Sequence, residues 1–484
     1  MIRKIVDKYK NMSLPVKMAF WFLICNFIQK GIGTISTPIF TRIMEDSEYG
    51  RYNVFQSWYN IISVFATLSI SGNCFTRSLV VLENEKEKKK LMSSLYGLVL
   101  TIIILFVAVY LIFHSKINQL TGLNDYLFIM MGAELLLITA CQFWTNSKRV
   151  KFDYKPIVLL TLCFTFFRPV LAVVCVLNAP LNMQVEARVT GITLANLILF
   201  FWIIIYIFSS GKTVYHKDNW RYALTFCIPL IPHYLSKTIL NESDRIMISH
   251  FVGNSEAGYY SVAYAIAGIM SIFNSAVAQS LDPWIYRSIK NKSLSRIGNV
   301  SYKITAFIAL INLIVMTIAP EVLMIMAPEK FSTALWVIPP VTASVFFTFM
   351  YDLFASFQFY FKKTKWIAIG SCGGAILNII LNAIFIPMFG FIAAGYTTLV
   401  CYVLFGILHY LFMRKVCKEH LDGYKVYDWK IIFGIGLLLI ICAFVMLLLY
   451  NKTVIRYVVL TLILLVLFIK RRTIIGLMKN VKSE

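Results

Sequence analysis

Five charged side chains stand inside long apolar runs of this 484-residue chain. Three are cations, Lys30, Arg168 and Lys237, and two are carboxylates, Glu134 and Asp352. A charge at the centre of a bilayer costs at least about 2.5 kcal/mol, so each of them must face protein or a water-filled cavity. The cations could bind an anion such as a phosphate, because an arginine guanidinium donates to two phosphate oxygens at once.

Polar residues recur at helical spacing beside two of the cations. Asn26 and Lys30 lie four residues apart, as do His233 and Lys237, so each pair falls on one face of a helix. A polar stripe of this kind favours a helix that lines a lumen. We therefore expect a cationic, substrate-binding cavity formed by these four residues together with Arg168.

Two interpretations of the carboxylates remain open. Glu134 and Asp352 could each bind a coupling ion, Na⁺ or a proton, whose movement supplies the free energy for transport. Alternatively, each forms an ion pair with one of the membrane cations and ties two helices together. In the second interpretation, the paired cation is not available to bind an anion.

The elements that carry these charges must be membrane-spanning helices. Apolar residues make up 59% of the chain and charged residues 14%, unlike the composition of soluble domains. The apolar residues come in runs of about 20, which is the length that crosses a roughly 30 Å hydrocarbon core as a helix. Fourteen spans are predicted near residues 16–40, 52–72, 92–113, 126–146, 157–177, 187–208, 222–241, 257–281, 304–320, 336–358, 367–387, 391–413, 430–450 and 455–469.

Lysine and arginine indicate the orientation of the predicted spans. Thirty-five of the 46 basic residues fall in the terminal segments and in every second loop, whereas eight fall in the opposite loops. Because basic residues are retained on the cytoplasmic side, both termini are predicted to be cytoplasmic. The inner loops then account for the net charge of +23, and no nucleic-acid partner is expected. The run EKEKKK at 85–90 is predicted to be a solvated inner loop.

Cysteine usage and loop length argue against metal chemistry and catalysis. The ten cysteines are scattered, mostly inside spans, without a Cys-x-x-Cys spacing, so we expect neither a disulfide nor a metal site. No cofactor is indicated. A membrane glycosyltransferase or ligase needs catalytic groups in an outer loop, and no outer loop here offers a candidate pair. We therefore expect a protein that is not an enzyme.

A long-range repeat relates the two halves of the chain. The segment TRIMEDSEYGRY, beginning at Thr41, has a second copy in DRIMISHFVGNSEAGYY, beginning at Asp244. Six predicted spans separate the copies, so both copies have the same orientation in the membrane. Lys30 and Lys237 stand 20 and 21 residues before the glycine of each copy, which places them at matching depth.

The repeat predicts the domain organisation of an all-α, polytopic membrane protein with about fourteen transmembrane helices. Two pseudo-symmetric six-helix halves, 1–208 and 209–413, are expected to surround a central cavity. The remaining segment, 414–484, is expected to form two additional helices and a cytoplasmic tail.

Three motifs resemble the oligosaccharide flippase (Wzx-type) family of the multidrug/oligosaccharidyl-lipid/polysaccharide exporter superfamily. The first copy of the repeat looks like the family's opening FTR…EYGxY, and Asp244, Arg245, Gly258 and Tyr260 look like its central DR…GxY signature. The stretch NIILNAIFIPMFGFIAAGYTT at 378–398 is similar to a third signature, with Ala-Ala-Gly where the family more often has Gly-Ala-Ala. The resemblance covers essentially the whole chain.

The resemblance implies a carrier in the bacterial cytoplasmic membrane. Such a carrier moves undecaprenyl-pyrophosphate-linked oligosaccharide repeat units from the inner to the outer leaflet by alternating access, for a capsule, an O-antigen or a similar surface polysaccharide. Its expected partners are the lipid-linked substrate, membrane lipids, a coupling Na⁺ or H⁺ and the polysaccharide polymerase machinery. A cation-coupled multidrug exporter of the same superfamily is the alternative, but an exporter of cationic drugs needs acidic lumen residues, and here the cations outnumber the carboxylates.

Overall fold

The computed structural model describes residues 13–470, and this part of the chain is helical throughout, with no strand. The α-helices are α1 (Leu14–Ile43), α2 (Asp46–Thr67), α3 (Asn73–Val81), α4 (Glu85–Thr121), α5 (Asp125–Val150), α6 (Tyr154–Leu177), α7 (Gln184–Gly211), α8 (Lys217–Cys227), α9 (Ile231–Phe251), α10 (Asn254–Lys290), α11 (Leu294–Thr317), α12 (Ala319–Met326), α13 (Ile338–Tyr360), α14 (Thr364–Phe389), α15 (Ile392–His420), α16 (Trp429–Leu449) and α17 (Thr453–Ile469). Short 3-10 turns are formed by Leu181–Met183, Ile228–Leu230 and Glu329–Trp336.

Twelve helical segments of the described chain are long and apolar enough to cross a membrane. They coincide with twelve of the fourteen predicted spans. The other two predicted spans correspond to α2, which is more polar, and to α17, which has 17 residues. The predicted all-α polytopic membrane fold is confirmed.

Two segments near the start of the chain differ locally from the prediction. The helix α2 ends at Thr67, earlier than predicted, because Leu68 turns into the left-handed region with φ of 47°. The run 85–90, predicted to be a loop, forms the beginning of α4, since the Asn84 side chain accepts a hydrogen bond from the backbone N–H of Lys86 and so caps the helix. Most side chains of this run are exposed, as expected for a solvated segment.

The chain divides into two compact units, Met1–Thr238 and Ile239–Glu484, with the boundary inside α9. The domain boundaries that the repeat predicts, at 208 and 413, each fall at the end of a predicted span. They stay a prediction.

Close packing of α6 against α7 organises part of the first unit. A Cβ atom added to Gly191 on α7 would lie 2.6 Å from the Cα of Ala172 and 2.7 Å from the backbone oxygen of Leu171 on α6. A small residue at such a contact lets two helix backbones approach each other. Arg168 and Arg188 each lie about one turn before these contact residues, so the contact holds the two arginine-bearing segments side by side.

In the second unit, α13 is the most enclosed of the described spans. Almost every side chain from Ile338 to Gln358 is buried, because α10, α11, α15 and α16 pack around this helix. A helix that is apolar on all sides belongs inside a bundle rather than at its surface.

Candidate functional site

A cavity of about 420 Å³ lies in the first unit, between α1, α2, α6 and the first turns of α7. Two of its lining residues are the arginines Arg168 and Arg188. The uncharged polar residues of the lining are Gln29, Ser36, Tyr52, Gln56 and Thr165. Among the described residues that line the cavity there is no carboxylate, so its wall is suited to an anion.

The guanidinium of Arg188 contacts aromatic rings from two other helices. Its central carbon lies 3.6 Å from the ring centroid of Phe40 on α1 and 3.5 Å from that of Tyr52 on α2. The negative face of an aromatic ring attracts a cation, so both rings stabilise the guanidinium and restrict its orientation.

Arg188 keeps unused hydrogen-bond donors in this position. Its Nη1 lies 3.7 Å from the Sδ of Met44, which is a weak acceptor, and its buried Nε–H has no hydrogen-bond partner in the described chain. Within residues 13–470, no carboxylate forms an ion pair with Arg188. A half-buried guanidinium with free N–H groups at a cavity wall is a binding group for an oxyanion.

Arg168 lines the same cavity but already has a partner. Its Nη2 donates a 2.9 Å hydrogen bond to Oε1 of Glu134 on α5. The Arg168 side chain is 29% exposed, whereas that of Glu134 is 8% exposed, so the carboxylate lies behind the arginine as seen from the cavity. The ion pair that the sequence left open as one alternative is therefore present, and Arg168 faces the cavity at the same time.

The other predicted binding residues of this unit do not line the cavity. Lys30 and Asn26 are exposed on α1, and Lys30 directly follows the lining residue Gln29. On α9, Lys237 is exposed and His233 is half-buried, with an Nδ1 that has no hydrogen-bond partner among the described residues. Their part in substrate binding stays a prediction.

Asp352 belongs to the second unit. It is half-buried on α13, and its backbone oxygen accepts a 2.9 Å hydrogen bond from the Oγ of Ser356. Its proposed role in ion coupling stays a prediction.

A closed polar cluster in the second unit brings together two of the three sequence motifs. Asp244 on α9 is only 1% exposed, and its Oδ2 accepts hydrogen bonds from Tyr260 at 2.5 Å and Thr398 at 2.9 Å. Its Oδ1 accepts from Asn382 at 2.6 Å, and Asn382 also donates to Asn378 at 3.2 Å. These residues come from α9, α10, α14 and α15, so the cluster ties four helices together.

Comparison with known proteins places the chain in a family. Residues 16–289 match the family model described as polysaccharide biosynthesis protein. The match covers more than half of the chain. The chain belongs to this family.

Curated relatives of this family member are distant. The Lsg locus putative protein 1 of Haemophilus influenzae is 28% identical over 194 residues, which cover 39% of this chain and 48% of that protein. An uncharacterized membrane protein of Methanocaldococcus jannaschii is 25% identical over 244 residues, which cover 48% of this chain and 46% of that protein. The chain spans about half the length of the curated relatives it matches.

Solved structures share the fold over most of the chain. The lipid II flippase MurJ in an inward closed conformation has a TM-score of 0.72 at 16% identity, covering 93% of this chain and 99% of that chain. An inward-facing multidrug resistance MATE transporter of the MOP superfamily has a TM-score of 0.67 at 11% identity, covering 82% and 96%. The family match confirms the predicted relation to polysaccharide biosynthesis proteins, and the solved structures show that the fold is shared with a lipid II flippase and a MATE transporter.

Arg188 is a candidate site residue that the sequence pattern alone did not predict. It lies near the outer end of the predicted sixth span, and the charge count therefore assigns it to an outer loop. Arg188 lies about one helical turn before Gly191. This spacing could have indicated that Arg188 faces protein, because a small residue in a membrane helix marks a packed face. The contacts with Phe40 and Tyr52 depend on the tertiary packing of α1, α2 and α7.

Proposed function

We propose that the protein flips a polyprenyl-pyrophosphate-linked oligosaccharide repeat unit from the inner to the outer leaflet of the bacterial cytoplasmic membrane. The observation that carries this proposal is the half-buried guanidinium of Arg188, which keeps free donors at the wall of a cavity that also presents Arg168. A pyrophosphate diester carries two negative charges, and each guanidinium fork can donate to a pair of phosphate oxygens. Two arginines at one cavity therefore match the charge of the headgroup.

The size of the cavity suits the polar part of such a substrate. A volume of about 420 Å³ lies within the roughly 300–1,000 Å³ of small-ligand sites, which accommodates a pyrophosphate with adjoining sugar atoms. A long polyprenyl chain exceeds this volume. In the proposal the chain stays in the hydrocarbon of the bilayer, because its apolar surface is already solvated there.

The product and the partners follow from the same proposal. The repeat unit is delivered to polymerase machinery that assembles a surface polysaccharide of the capsule or O-antigen type. Both termini are cytoplasmic in this scheme, and a gradient of Na⁺ or H⁺ supplies the free energy of transport. The predicted charge bias of the loops supports the orientation.

Multidrug export is the alternative function, because a MATE transporter shares the fold. The lining of the cavity argues against it. A cationic drug would meet two guanidinium groups, whereas the described lining residues offer no carboxylate to bind it.

The proposed function is tested by complementing a deletion strain with Arg188 variants. Arg188→Met keeps much of the side-chain length but removes the charge, so surface polysaccharide should be lost while lipid-linked repeat units accumulate in the inner leaflet. Arg188→Lys should retain part of the activity, because it keeps the charge without the fork. Export is normalised to the amount of protein in the membrane.

Arg51 provides a matched control in the same unit. Its side chain is 18% exposed and pairs with Glu186 at 2.6 Å, and it does not line the cavity. Arg51→Met should leave export per molecule unchanged. Normal export by Arg188→Met at normal abundance would contradict the proposed site. If the deletion strain no longer makes the lipid-linked units, the protein acts in their synthesis, as a transferase, rather than in their transport.

A further inference from the structure

The ion pair between Arg168 and Glu134 joins a cavity-lining cation to a carboxylate that is buried behind it. In the described chain, the carboxylate of Glu134 accepts no hydrogen bond other than the one from Arg168. The arginine, in contrast, has part of its surface in the cavity. An anion that enters the cavity therefore competes with Glu134 for the same guanidinium.

We infer that Arg168 exchanges partners during transport and that Glu134 is the proton-binding site of the transport cycle. The anionic headgroup takes the guanidinium of Arg168, and Glu134, released from the ion pair, binds a proton. The inference rests on the proposed function, because it requires an anion in this cavity.

Charge balance favours the exchange. Without substrate, the charges of Arg168 and Glu134 cancel. A pyrophosphate diester brings two negative charges, which Arg168 and Arg188 neutralise only if Glu134 carries no charge of its own. A buried carboxylate that has lost its cation is strongly disfavoured, whereas the protonated acid is neutral. Arg168 stays a cation throughout. The one bond formed is the O–H bond of Glu134, and the one bond broken joins that proton to a hydronium ion or buffer acid, whose conjugate base stays in solution.

The surroundings of Glu134 leave it as the group that changes charge. Arg168 faces it from α6, and the phenol of Tyr59 faces the pair from α2, with Tyr52 of the same helix acting on Tyr59. On α5 itself, the thiol of Cys141 lies two turns after Glu134 and also interacts electrostatically with Arg168. Within the described chain, no residue of α3, α4 or α7 forms an ion pair with Glu134, and the cation that α7 places in the cavity wall is Arg188. Phenols and thiols are neutral near pH 7, so the carboxylate is the acceptor of the proton.

The exchange is tested with the purified full-length protein and farnesyl-pyrophosphoryl-N-acetylglucosamine, a diester whose phosphates do not titrate near neutral pH. Binding is measured by calorimetry in buffers with different ionisation enthalpies, which gives the protons taken up per ligand. The wild type should take up about one proton, and its affinity should fall about tenfold per pH unit as pH rises. Glu134→Gln should bind the probe without proton uptake and with an affinity that does not depend on pH.

Glu186→Gln is the matched control, because this carboxylate also pairs with an arginine but lies outside the cavity. It should keep the proton uptake of the wild type. Binding without proton uptake in the wild type, or equal uptake in Glu134→Gln, would overturn the exchange and leave the proposed function standing. Failure of the wild type to bind the probe would overturn both. If Glu134→Gln does not fold, the pH dependence of the wild-type affinity decides alone.

Discussion

The two units each contain a deeply buried carboxylate, and the two carboxylates are satisfied in opposite ways. Glu134 in the first unit is 6% exposed and Asp244 in the second is 1% exposed. Glu134 depends on one arginine, which itself faces a cavity. Asp244 accepts hydrogen bonds from Tyr260, Asn382 and Thr398, which are neutral and are buried with it.

This difference shows that the burial of a charged side chain does not by itself identify a functional residue. A polar network whose members are satisfied by one another holds its helices in place. A buried charge whose partner retains access to a cavity has a second arrangement available to it. On this criterion the Glu134–Arg168 pair and Arg188 form the proposed ligand site, and the Asp244 cluster joins helices of the second unit.

The largest expected effect is the loss of stability in Asp244→Ala. The substitution removes three hydrogen bonds and leaves buried donors of Tyr260, Asn382 and Thr398 without an acceptor, which should cost about 4 kcal/mol. Thermal unfolding and the amount of protein in the membrane measure this cost. Asp244→Asn keeps the volume and one acceptor, so it should cost less. Wild-type stability of Asp244→Ala combined with lost export would break the comparison and place Asp244 among the transport residues.

Arg168→Ala should affect both stability and export. It leaves Glu134 buried without its cation, which should destabilise the protein by about 3 kcal/mol. Adding Glu134→Gln removes the unpaired charge and should restore membrane abundance, but export should remain lost because the cavity lacks one guanidinium. The same pair of changes at Arg51 and Glu186 should leave export per molecule intact. Restored export in the Arg168→Ala/Glu134→Gln double variant would show that the pair is purely structural.

Lys30 and Lys237 sharpen the comparison, because they are exposed rather than buried. Lys30→Ala and Lys237→Ala should each reduce export about fivefold without loss of protein from the membrane, since a solvated charge contact is worth about 1 kcal/mol. Lys→Arg should be milder in both positions. Unchanged export in both alanine variants at normal abundance would remove these lysines from the substrate path.

The spans could be predicted from sequence because a helix in a bilayer must present about 20 apolar residues, whatever its neighbours are. The ion pair could be predicted only as an alternative, since hydropathy does not say which faces of α5 and α6 meet. Arg188 and the Asp244 cluster depend on contacts between three and four helices, respectively. The motifs at 244–260 and 378–398 were visible in the sequence, but nothing in either motif shows that Asp244 and Asn382 form a hydrogen bond.

The smallest expected effect concerns an ion pair outside the long spans. Glu321 on α12 lies 2.7 Å from Arg456 on α17, and the carboxylate side chain is 34% exposed. The hydrogen bond from Arg456 lowers the pKa of Glu321 below its ordinary value of 4.5. A carboxylate with a lowered pKa stabilises the fold above its ordinary pKa, and this contribution is lost as the pH falls through the lowered value.

Because Glu321 is partly solvated and a glutamine keeps an acceptor for the buried Arg456, Glu321→Gln should cost about 1 kcal/mol near neutral pH. The difference in melting temperature between the variant and the wild type should shrink as the pH is lowered from about 7 to about 3, since Glu321 of the wild type then also becomes neutral. Glu329, a carboxylate in the following 3-10 turn, offers a control, and Glu329→Gln should show no such convergence. A difference in melting temperature that stays constant over the whole pH range would mean that hydrogen-bond geometry, rather than the charge of Glu321, joins α12 to α17. The contrast between charged and neutral interactions would then not extend to these two helices.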